Sequence, residues 1–249
     1  MIPPPASRAD FGRLAERYDA VRPVDENWWE VYELVERAAD LRGRRVLDVG
    51  CGTGRLSAAL AERAHAKVWG VDASPEMLAV AKEKVQGVAF KHARAESLPF
   101  KDGWFERAVL WLVIHLVDRP AALAEARRVV GGDGSVAVVS FDESHFDTHW
   151  LNDYLPSLER VDRARFPTRE QLVAELREAG FDGANTMRLD QRATLSREDA
   201  LLRFRERHIS TFDLIDDREI ETGLAEAERT LPDTVEYHLR WLVAVGSAA

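Results

Sequence analysis

Cysteine is almost absent from this sequence, which holds one cysteine, Cys51, among 249 residues. A single thiol excludes a disulfide within the chain and any metal site built from several cysteines. We also expect the histidines and carboxylates of the chain to bind no metal ion. Cys51 stands at the start of a helix, where a thiolate can be stabilised. Since no base adjoins it in the sequence, we expect this position to supply backbone and not a nucleophile.

Positive charge is also scarce, with 34 Lys and Arg against 43 Asp and Glu and a formal net charge of -9. An acidic chain lacks the broad basic field that nucleic-acid binding usually needs, so we expect no nucleic-acid partner. Five arginines nevertheless cluster in sequence: Arg163, Arg165, Arg203, Arg205 and Arg207. We interpret them as solvated helix faces, and the alternative is a local basic groove.

Long apolar runs are missing as well. The longest, 108–117, is interrupted by His115 and is far shorter than the roughly 20 residues of a membrane-spanning helix. The first ten residues, MIPPPASRAD, lack the apolar region of a signal peptide. We therefore expect a cytoplasmic protein without a membrane partner. A hydrophobic content of 46% over this length predicts a single domain over 1–249, with a short disordered tail over 1–10.

What the sequence does contain is a regular alternation of short apolar runs and helical segments. Two helical segments come first, over 11–20 and 28–41. Strand-like runs follow over 45–49, 67–71, 88–92, 105–113 and 135–141, with helices between them. Strands that alternate with helices in this way indicate βαβ units and a parallel sheet.

The alternation stops after Phe141. We expect an aromatic-rich helix over 148–165, and a capping box from Thr168 to Gln171 that starts the next helix. Two further strands are predicted over 181–191 and 235–245, with two helices between them that start near Ser196 and Asp216. Segments 141–165 and 191–234 interrupt the α/β rhythm. We expect them to form a mostly helical cap over the carboxyl ends of the strands.

The most specific feature is the turn in VLDVGCGTGR, residues 46–55, where a strand runs into three alternate glycines and a helix follows. Glycines let the chain turn tightly and let a ligand touch bare backbone, and the helix start presents unpaired N–H groups. A dinucleotide fingerprint needs a glycine where Arg55 stands, which weighs against an NAD-dependent oxidoreductase. Asp72 ends the next strand about 20 residues beyond the turn, where an acid can accept both hydroxyls of a ribose.

These motifs resemble the class I S-adenosylmethionine (SAM)-dependent methyltransferases, especially the small-molecule branch that includes the ubiquinone/menaquinone-biosynthesis enzymes. Five segments match family patterns in order: 46–54, 71–78, 94–100, 109–116 and 128–134. The resemblance implies an α/β fold: a Rossmann-like, seven-stranded, mostly parallel sheet with an antiparallel last strand, helices on both faces and a helical cap. It also implies transfer of the methyl group of SAM to a small-molecule acceptor.

The resemblance further implies a cofactor site, position by position. Residues near the methionine part and backbone of SAM would be Asp48, Gly50, Gly52 and Trp111. The ribose and adenine would meet Asp72, Ala73, Met77, Ala95 and Glu96. An N-terminal element that closes over the site would supply Tyr18 and Arg22. Arg22 would pair with the SAM carboxylate, and the alternative is a surface arginine before Pro23. Arg94 departs from the family, which often has an acid at this position to contact the adenine.

Methyl transfer from a sulfonium is an in-line displacement, so the protein mainly positions the reactants and excludes water. A base is needed only if the acceptor must lose a proton. His115 and Tyr18 are the catalytic candidates, and His115 has a structural role as its alternative; His145, His149 and His208 follow. Two other functions stay open: a methyltransferase that acts on RNA or protein, and a non-catalytic SAM-binding module. The sequence does not predict the oligomeric state.

Overall fold

The computed structural model describes residues 15–248. The tail that we expected over 1–10 lies outside the described residues. Of the helix expected over 11–20, the described part is helical from Tyr18. Helices are α1 (Tyr18–Val21), α2 (Glu26–Ala38), α3 (Arg55–Glu62), α4 (Pro75–Lys84), α5 (Arg119–Val129), α6 (Leu158–Arg165), α7 (Arg169–Glu178), α8 (Arg197–Arg205) and α9 (Asp217–Thr230). Strands are β1 (Arg45–Val49), β2 (Lys67–Asp72), β3 (Ala89–His92), β4 (Phe105–Trp111), β5 (Val130–Phe141), β6 (Phe181–Ser196) and β7 (Thr234–Ala248).

Within residues 15–248 the strands form one seven-stranded sheet in the order β3-β2-β1-β4-β5-β7-β6. The pairs from β3 through β5 are parallel, and β7 runs antiparallel to both of its neighbours, β5 and β6. The predicted Rossmann-like sheet with an antiparallel last strand is therefore confirmed. In such a sheet the carboxyl ends of the parallel strands lie along one edge, where ligands bind.

Helices cover both faces of the sheet because neighbouring residues of a buried strand point to opposite sides. Along β5, Val136 and Val138 belong to the core beneath α5 and α7. Ala137 and Val139, which alternate with them, belong to the core beneath α2 and α3. This is why the central strands are continuous apolar runs in the sequence.

A third core lies in the segments that interrupt the α/β rhythm. It joins the 3-10 helix Trp150–Asp153, α6, α8 and α9 to the ends of β6 and β7. Its fully buried residues include Leu151, Leu155, Ala200, Phe204, Phe212 and Ala227. The helices α8 and α9 begin where the sequence predicted, because the side chains of Ser196 and Asp216 cap their first turns.

Several boundaries differ from the sequence predictions, among them the start of β5, at Val130 and not at 135, and the following three. The single helix expected over 148–165 is wrong: 3-10 helices occupy Glu143–Thr148 and Trp150–Asp153, and α6 begins only at Leu158. Pro156 explains the break, since proline has no N–H to donate and disfavours helical backbone in the residue before it. Strand β4 ends at Trp111 and not at 113.

The early end of β4 follows from the backbone of Leu112, which has a φ of 53°. That conformation turns the chain into the 3-10 helix Ile114–Leu116. At the third boundary, β6 continues to Ser196, five residues beyond the predicted end, because it pairs with β7 as far as Ser196 opposite Thr234. The two strands thus extend as an arm from the sheet into the cap. No helix within residues 15–248 is long and apolar enough to cross a membrane.

Candidate active site

The turn between β1 and α3 is built on glycines with left-handed backbone. Gly50, Gly52 and Gly54 have φ values of 72°, 54° and 83°. A Cβ on Gly50 would lie 2.6 Å from a side-chain carbon of Val113, so this position has no room for another residue. A Cβ on Gly52 would meet nothing within 4 Å. The backbone of Gly52 is therefore bare toward open space, which is what a ligand-binding turn requires.

Two carboxylates flank this turn. Asp48, at the end of β1, is buried and accepts a hydrogen bond of 2.6 Å from the Ser57 hydroxyl. Burial raises the pKa of Asp48 to about 7, and the bond from Ser57 offsets only part of that rise. Asp72, at the end of β2, accepts backbone N–H bonds of 2.8 Å from Gly52 and from Ser74. Burial also raises the pKa of Asp72. Both acids sit where a positive ligand would stabilise their charged forms.

The short helix α1 is attached to the glycine turn by Asp19. One carboxylate oxygen accepts a bond of 2.7 Å from the Thr53 hydroxyl, and the other lies 2.7 Å from the Lys84 ammonium. The Tyr18 ring lies against the guanidinium of Arg55, 5.1 Å from its centroid. These contacts hold the N-terminal element beside the turn.

The same element reaches across to the cap. Arg22 Nε donates to the backbone carbonyl of His208 over 3.1 Å, and Arg22 Nη1 donates to the Tyr18 hydroxyl over 3.3 Å. Arg17 forms an ion pair of 2.9 Å with Glu206. Arg22 has no carboxylate within ion-pair distance among residues 15–248. Its positive charge therefore remains available to an anionic group in the space that it faces.

A cavity of about 200 Å³ extends from the glycine turn to the cap. Its wall at the turn includes Asp48, Gly50, Cys51, Gly52 and Thr53, and its N-terminal wall includes Tyr18, Arg22 and Trp28. The cap and the arm contribute Phe141, His145, His149, Trp150, Arg203, His208, Tyr237 and Trp241. A second cavity of about 60 Å³ shares part of this wall and adds His115, Asp162, Phe166 and Thr211. We call the two the main cavity and the inner cavity.

The predicted cofactor residues divide into two groups. Six of them line the main cavity: Tyr18, Arg22, Asp48, Gly50, Gly52 and Trp111. The other five do not: Asp72, Ala73, Met77, Ala95 and Glu96. Asp72 is nevertheless hydrogen-bonded to Gly52, and Ala73 follows it along the chain. Met77 and Ala95 are buried, whereas Glu96 accepts the backbone N–H of Asp118 over 3.0 Å.

His115 lines the inner cavity and not the main one. Its ring stacks on Phe166 with a centroid distance of 3.9 Å, and it is only 7% exposed. Burial lowers the pKa of His115 well below its usual value, and the positive charges of Arg165 and Arg22 add to that effect. The Nδ1 atom has no hydrogen-bond partner within the described part of the chain. His115 is thus a neutral imidazole beside the main cavity, whereas Tyr18 lines both cavities.

In two histidines that line the main cavity, a hydrogen bond with the backbone fixes which ring nitrogen carries the proton. His149 Nδ1 accepts from the N–H of Leu151 over 3.2 Å, so the proton of the neutral ring is on Nε2. His208 Nδ1 lies 3.0 Å from the carbonyl of Arg203, which can only accept, so its proton is on Nδ1. Burial lowers the pKa of His149 to about 3 and that of His208 well below its usual value.

Several residues of the cavity wall were not predicted from the sequence. Trp28 was predicted only as the first residue of the helix over 28–41, yet its ring stacks on Trp111 at 5.3 Å. Tyr237 and Trp241 come from β7, more than 180 residues after the glycine turn, and nothing in their local pattern marks them. Arg203 lies three residues after the buried Ala200. That helical spacing was the one available signal that it borders the buried face.

The interpretation of the five clustered arginines as solvated is wrong for two of them. Arg165 is 5% exposed and donates to the hydroxyls of Ser210 and Thr211, and Arg203 lines the main cavity. The other three pair with nearby acids: Arg163 with Glu159, Arg205 with Glu228 and Arg207 with Asp217. The cluster therefore divides between the interior, the cavity wall and ion pairs.

Two remaining expectations concern metal binding and the thiol of Cys51. Among residues 15–248 no group of three or more His, Cys, Asp or Glu side chains could hold a metal ion. Cys51 is buried, and burial raises the pKa of its thiol. Its N–H donates to the carbonyl of Val71 over 2.9 Å. In this setting the sulfur is a neutral thiol, and the position contributes backbone to the turn.

Comparison with known proteins places this geometry in a family. The profile of a methyltransferase domain matches residues 46–134. A malonyl-[acyl-carrier protein] O-methyltransferase of Geobacter sulfurreducens is 34% identical over 189 residues, which cover 70% of this chain and 69% of that protein. A ubiquinone/menaquinone biosynthesis C-methyltransferase UbiE of Citrifermentans bemidjiense is 34% identical over 149 residues, covering 54% of this chain. The matched part spans 62% of the length of that second relative.

Solved structures agree on the fold. A structure from Anabaena variabilis, described as a methyltransferase from an antibiotic biosynthesis pathway, matches with a TM-score of 0.68. The match has 22% identity and covers 86% of this chain and 96% of the other. At that identity the likeness shows the fold alone. Together with the sequence matches, it means that the chain belongs to the class I SAM-dependent methyltransferases, and SAM is its cofactor.

Proposed function

We propose that this protein transfers the methyl group of SAM to a small-molecule acceptor that is bound in the main cavity. The observation that carries the proposal is the continuity of that cavity, whose wall includes Gly50 and Gly52 at one end and His208 and Tyr237 at the other. A donor on the glycine turn and an acceptor under the cap would share one continuous space. Its volume of about 200 Å³ suits a small molecule better than a polymer.

The residues at the turn fit the cofactor. Gly52 offers bare backbone toward open space, and the start of α3 offers N–H groups. We assign the methionine part to Asp48, Gly50, Gly52 and Trp111, with Tyr18 and Arg22 over it. Arg22 suits the carboxylate of the cofactor, since no acid of residues 15–248 pairs with it. The adenosine part is assigned to Asp72, Ala73, Met77, Ala95 and Glu96.

When bound, SAM supplies an electrophilic methyl group on a sulfonium sulfur. The work left to the chain is positioning and exclusion of water. The contacts of α1 with Thr53, Lys84 and His208 close one side of the cavity. Segments 141–165 and 191–234 act as the cap that closes the other, with the fully buried Phe204 and Phe212 in their common core.

Proton removal is required only for some acceptors. Tyr18 lines both cavities and is the catalytic candidate predicted from the sequence that borders the proposed acceptor space directly. His115 would act from the inner cavity, where its Nδ1 atom has no partner among residues 15–248. His208 is the better placed histidine, because its neutral ring keeps a lone pair on Nε2 and lines the main cavity.

Acceptor class and location belong to the same proposal. A net charge of -9 and the small volume of the cavity favour a small molecule over RNA or protein. The glycine turn is intact, Asp72 is hydrogen-bonded to Gly52 and Asp48 to Ser57. These features favour catalysis over a module that only binds SAM. The single cysteine is in keeping with work in the cytoplasm.

The test is label transfer. Purified protein is incubated with methyl-labelled SAM and, separately, with the low-molecular-mass, RNA and protein fractions of a cell extract. We expect label in the low-molecular-mass fraction only, and loss of that label with Asp48→Ala. Label in RNA or protein would favour those alternatives. Binding of SAM without label in any fraction would support the non-catalytic module.

A further inference from the structure

The main cavity contains a cation that neither the fold nor the proposed cofactor site uses. Arg203, on α8, is half-buried and lines the cavity. The described polar contact of its guanidinium is a long one, 3.4 Å from Nη1 to the Tyr237 hydroxyl. No carboxylate of residues 15–248 lies within ion-pair distance of it. A partly buried positive charge without a counter-ion is costly, so such groups mark the place of an anionic ligand.

The neighbouring arginines show that the missing counter-ion is a property of position 203 and not of the whole segment. Arg205, two residues on, pairs with Glu228 at 2.6 Å. Arg207 pairs with Asp217 at 2.7 Å. The three arginines occupy one short stretch of chain, yet only Arg203 faces the cavity. Arg205 therefore serves as a matched control for any experiment on Arg203.

The acids in the cavity wall do not neutralise Arg203 either. Asp25 accepts the N–H of Trp28 over 2.9 Å and caps α2. Asp48 accepts a hydrogen bond from the Ser57 hydroxyl of α3. His208, beside Arg203, is neutral, and the charges of Arg22 and Arg203 help to lower its pKa. The cap end of the cavity thus has a positive potential.

The rest of the wall near the cap is aromatic. Its side chains are Trp111, Phe141, Trp150, Tyr237 and Trp241. Under the proposed function, Arg22 binds the carboxylate of the cofactor, which leaves Arg203 for the other reactant. We propose that the methyl acceptor carries a carboxylate on an apolar or aromatic body, and that Arg203 binds this carboxylate with the Tyr237 hydroxyl beside it. This assignment rests on the proposed function.

The binding experiment uses pairs of compounds that differ only in charge. The full-length protein is saturated with S-adenosylhomocysteine and titrated in a calorimeter with benzoate and benzamide, phenylacetate and phenylacetamide, and hexanoate and hexanamide. In the wild type we expect at least one carboxylate to bind about tenfold or more tightly than its amide, the size of a charge-assisted hydrogen bond. Arg203→Gln should abolish that preference, and Arg205→Gln should keep it.

Folding and the proposed function are checked separately. Thermal unfolding of Arg203→Gln should match the wild type, and Arg203→Lys, which keeps the charge, should retain part of the carboxylate preference. If no carboxylate binds more tightly than its amide in the wild type, or if Arg205→Gln loses the preference equally, the assignment is overturned. Failure of the wild type to bind S-adenosylhomocysteine at all would instead contradict the proposed function.

Discussion

The carboxylate of Asp72 accepts the backbone N–H of Gly52 over 2.8 Å and so joins the two motifs that the sequence presents 20 residues apart. The second oxygen accepts the N–H of Ser74, the cap of α4. Both oxygens are thus held in place before any ligand arrives. A site in which the acid and the turn are already in register loses little conformational entropy on binding.

We expect Asp72→Ala to weaken SAM binding by about 1.5–3 kcal/mol, the range for a hydrogen bond to a charged group. Because the variant also loses the hydrogen bond that holds the N–H of Gly52, we expect SAM to dissociate faster. Calorimetry and stopped-flow fluorescence measure the two effects. Asp133 is an exposed acid near the start of β5, and Asp133→Ala should leave both the affinity and the dissociation rate unchanged. Equal SAM affinity in a folded Asp72→Ala protein would place the ribose contact elsewhere.

Two glycines of the turn should respond differently to alanine. Both have positive φ, which costs about 1–2 kcal/mol for a residue with a side chain. Gly50→Ala also drives a methyl group to 2.6 Å from Val113, and overpacking adds about 1–3 kcal/mol. Gly52→Ala meets open space, so its stability loss should be smaller while its SAM affinity falls. Denaturant unfolding and calorimetry separate these outcomes.

The steric clash expected in Gly50→Ala can be tested with a second substitution that shortens the Val113 side chain. Val113→Ala removes the nearest atom, Cγ2, and leaves only the Cβ at 2.9 Å, so the double variant Gly50→Ala/Val113→Ala should unfold at higher denaturant than additivity predicts. Strictly additive stability losses would contradict the packing explanation.

The buried Asp48 predicts a pH dependence of stability. Its pKa is raised from an ordinary 3.8 to about 7 in the folded protein. A group with a raised folded-state pKa contributes stability that is complete below its unfolded pKa and is lost as the pH rises through the folded value. Asp48→Asn stays neutral and keeps that contribution. Without cofactor, we expect the variant to gain in Tm relative to the wild type between pH 5 and pH 8.

A constant difference in Tm across that range would show that Asp48 is ionised in the folded protein. Asp133→Asn serves as the exposed control, and its Tm should follow the wild type at every pH.

Gly223 tests the packing of the cap. In α9, alanine at this position would gain about 1 kcal/mol of helix propensity. Its Cβ, however, would lie 2.3 Å from the backbone carbonyl oxygen of Tyr154, which cannot move aside as a flexible side chain would. We expect the clash to win and Gly223→Ala to lower the free energy of unfolding by about 1–3 kcal/mol. Thr222→Ala, on the exposed face of the same turn, should change it by less than about 0.5 kcal/mol.

Local patterns in the sequence determined the sheet, the glycine turn and most helix starts. Thr168, Ser196 and Asp216 cap helices where their residue types predicted, because a cap is made by the side chain and the N–H groups two or three residues on. The central strands were equally plain, since burial on both faces leaves a continuous apolar run. One helix was wrongly predicted because the apolar spacing ran through Pro156, whose missing N–H breaks the element.

Only the tertiary structure decided which side chains share the cavity. Arg203, His208 and Tyr237 reach it from a helix, a loop and a strand that are distant in sequence from the turn at 50–54. Arg203 and Arg205 stand two residues apart in one stretch of chain, and their different partners come from the way α8 packs against the arm of β6 and β7. Cavity walls depend on such long-range packing, whereas caps and turns depend on neighbours along the chain. The sequence alone therefore determined the glycine turn, and the fold decided the shape and charge of the main cavity.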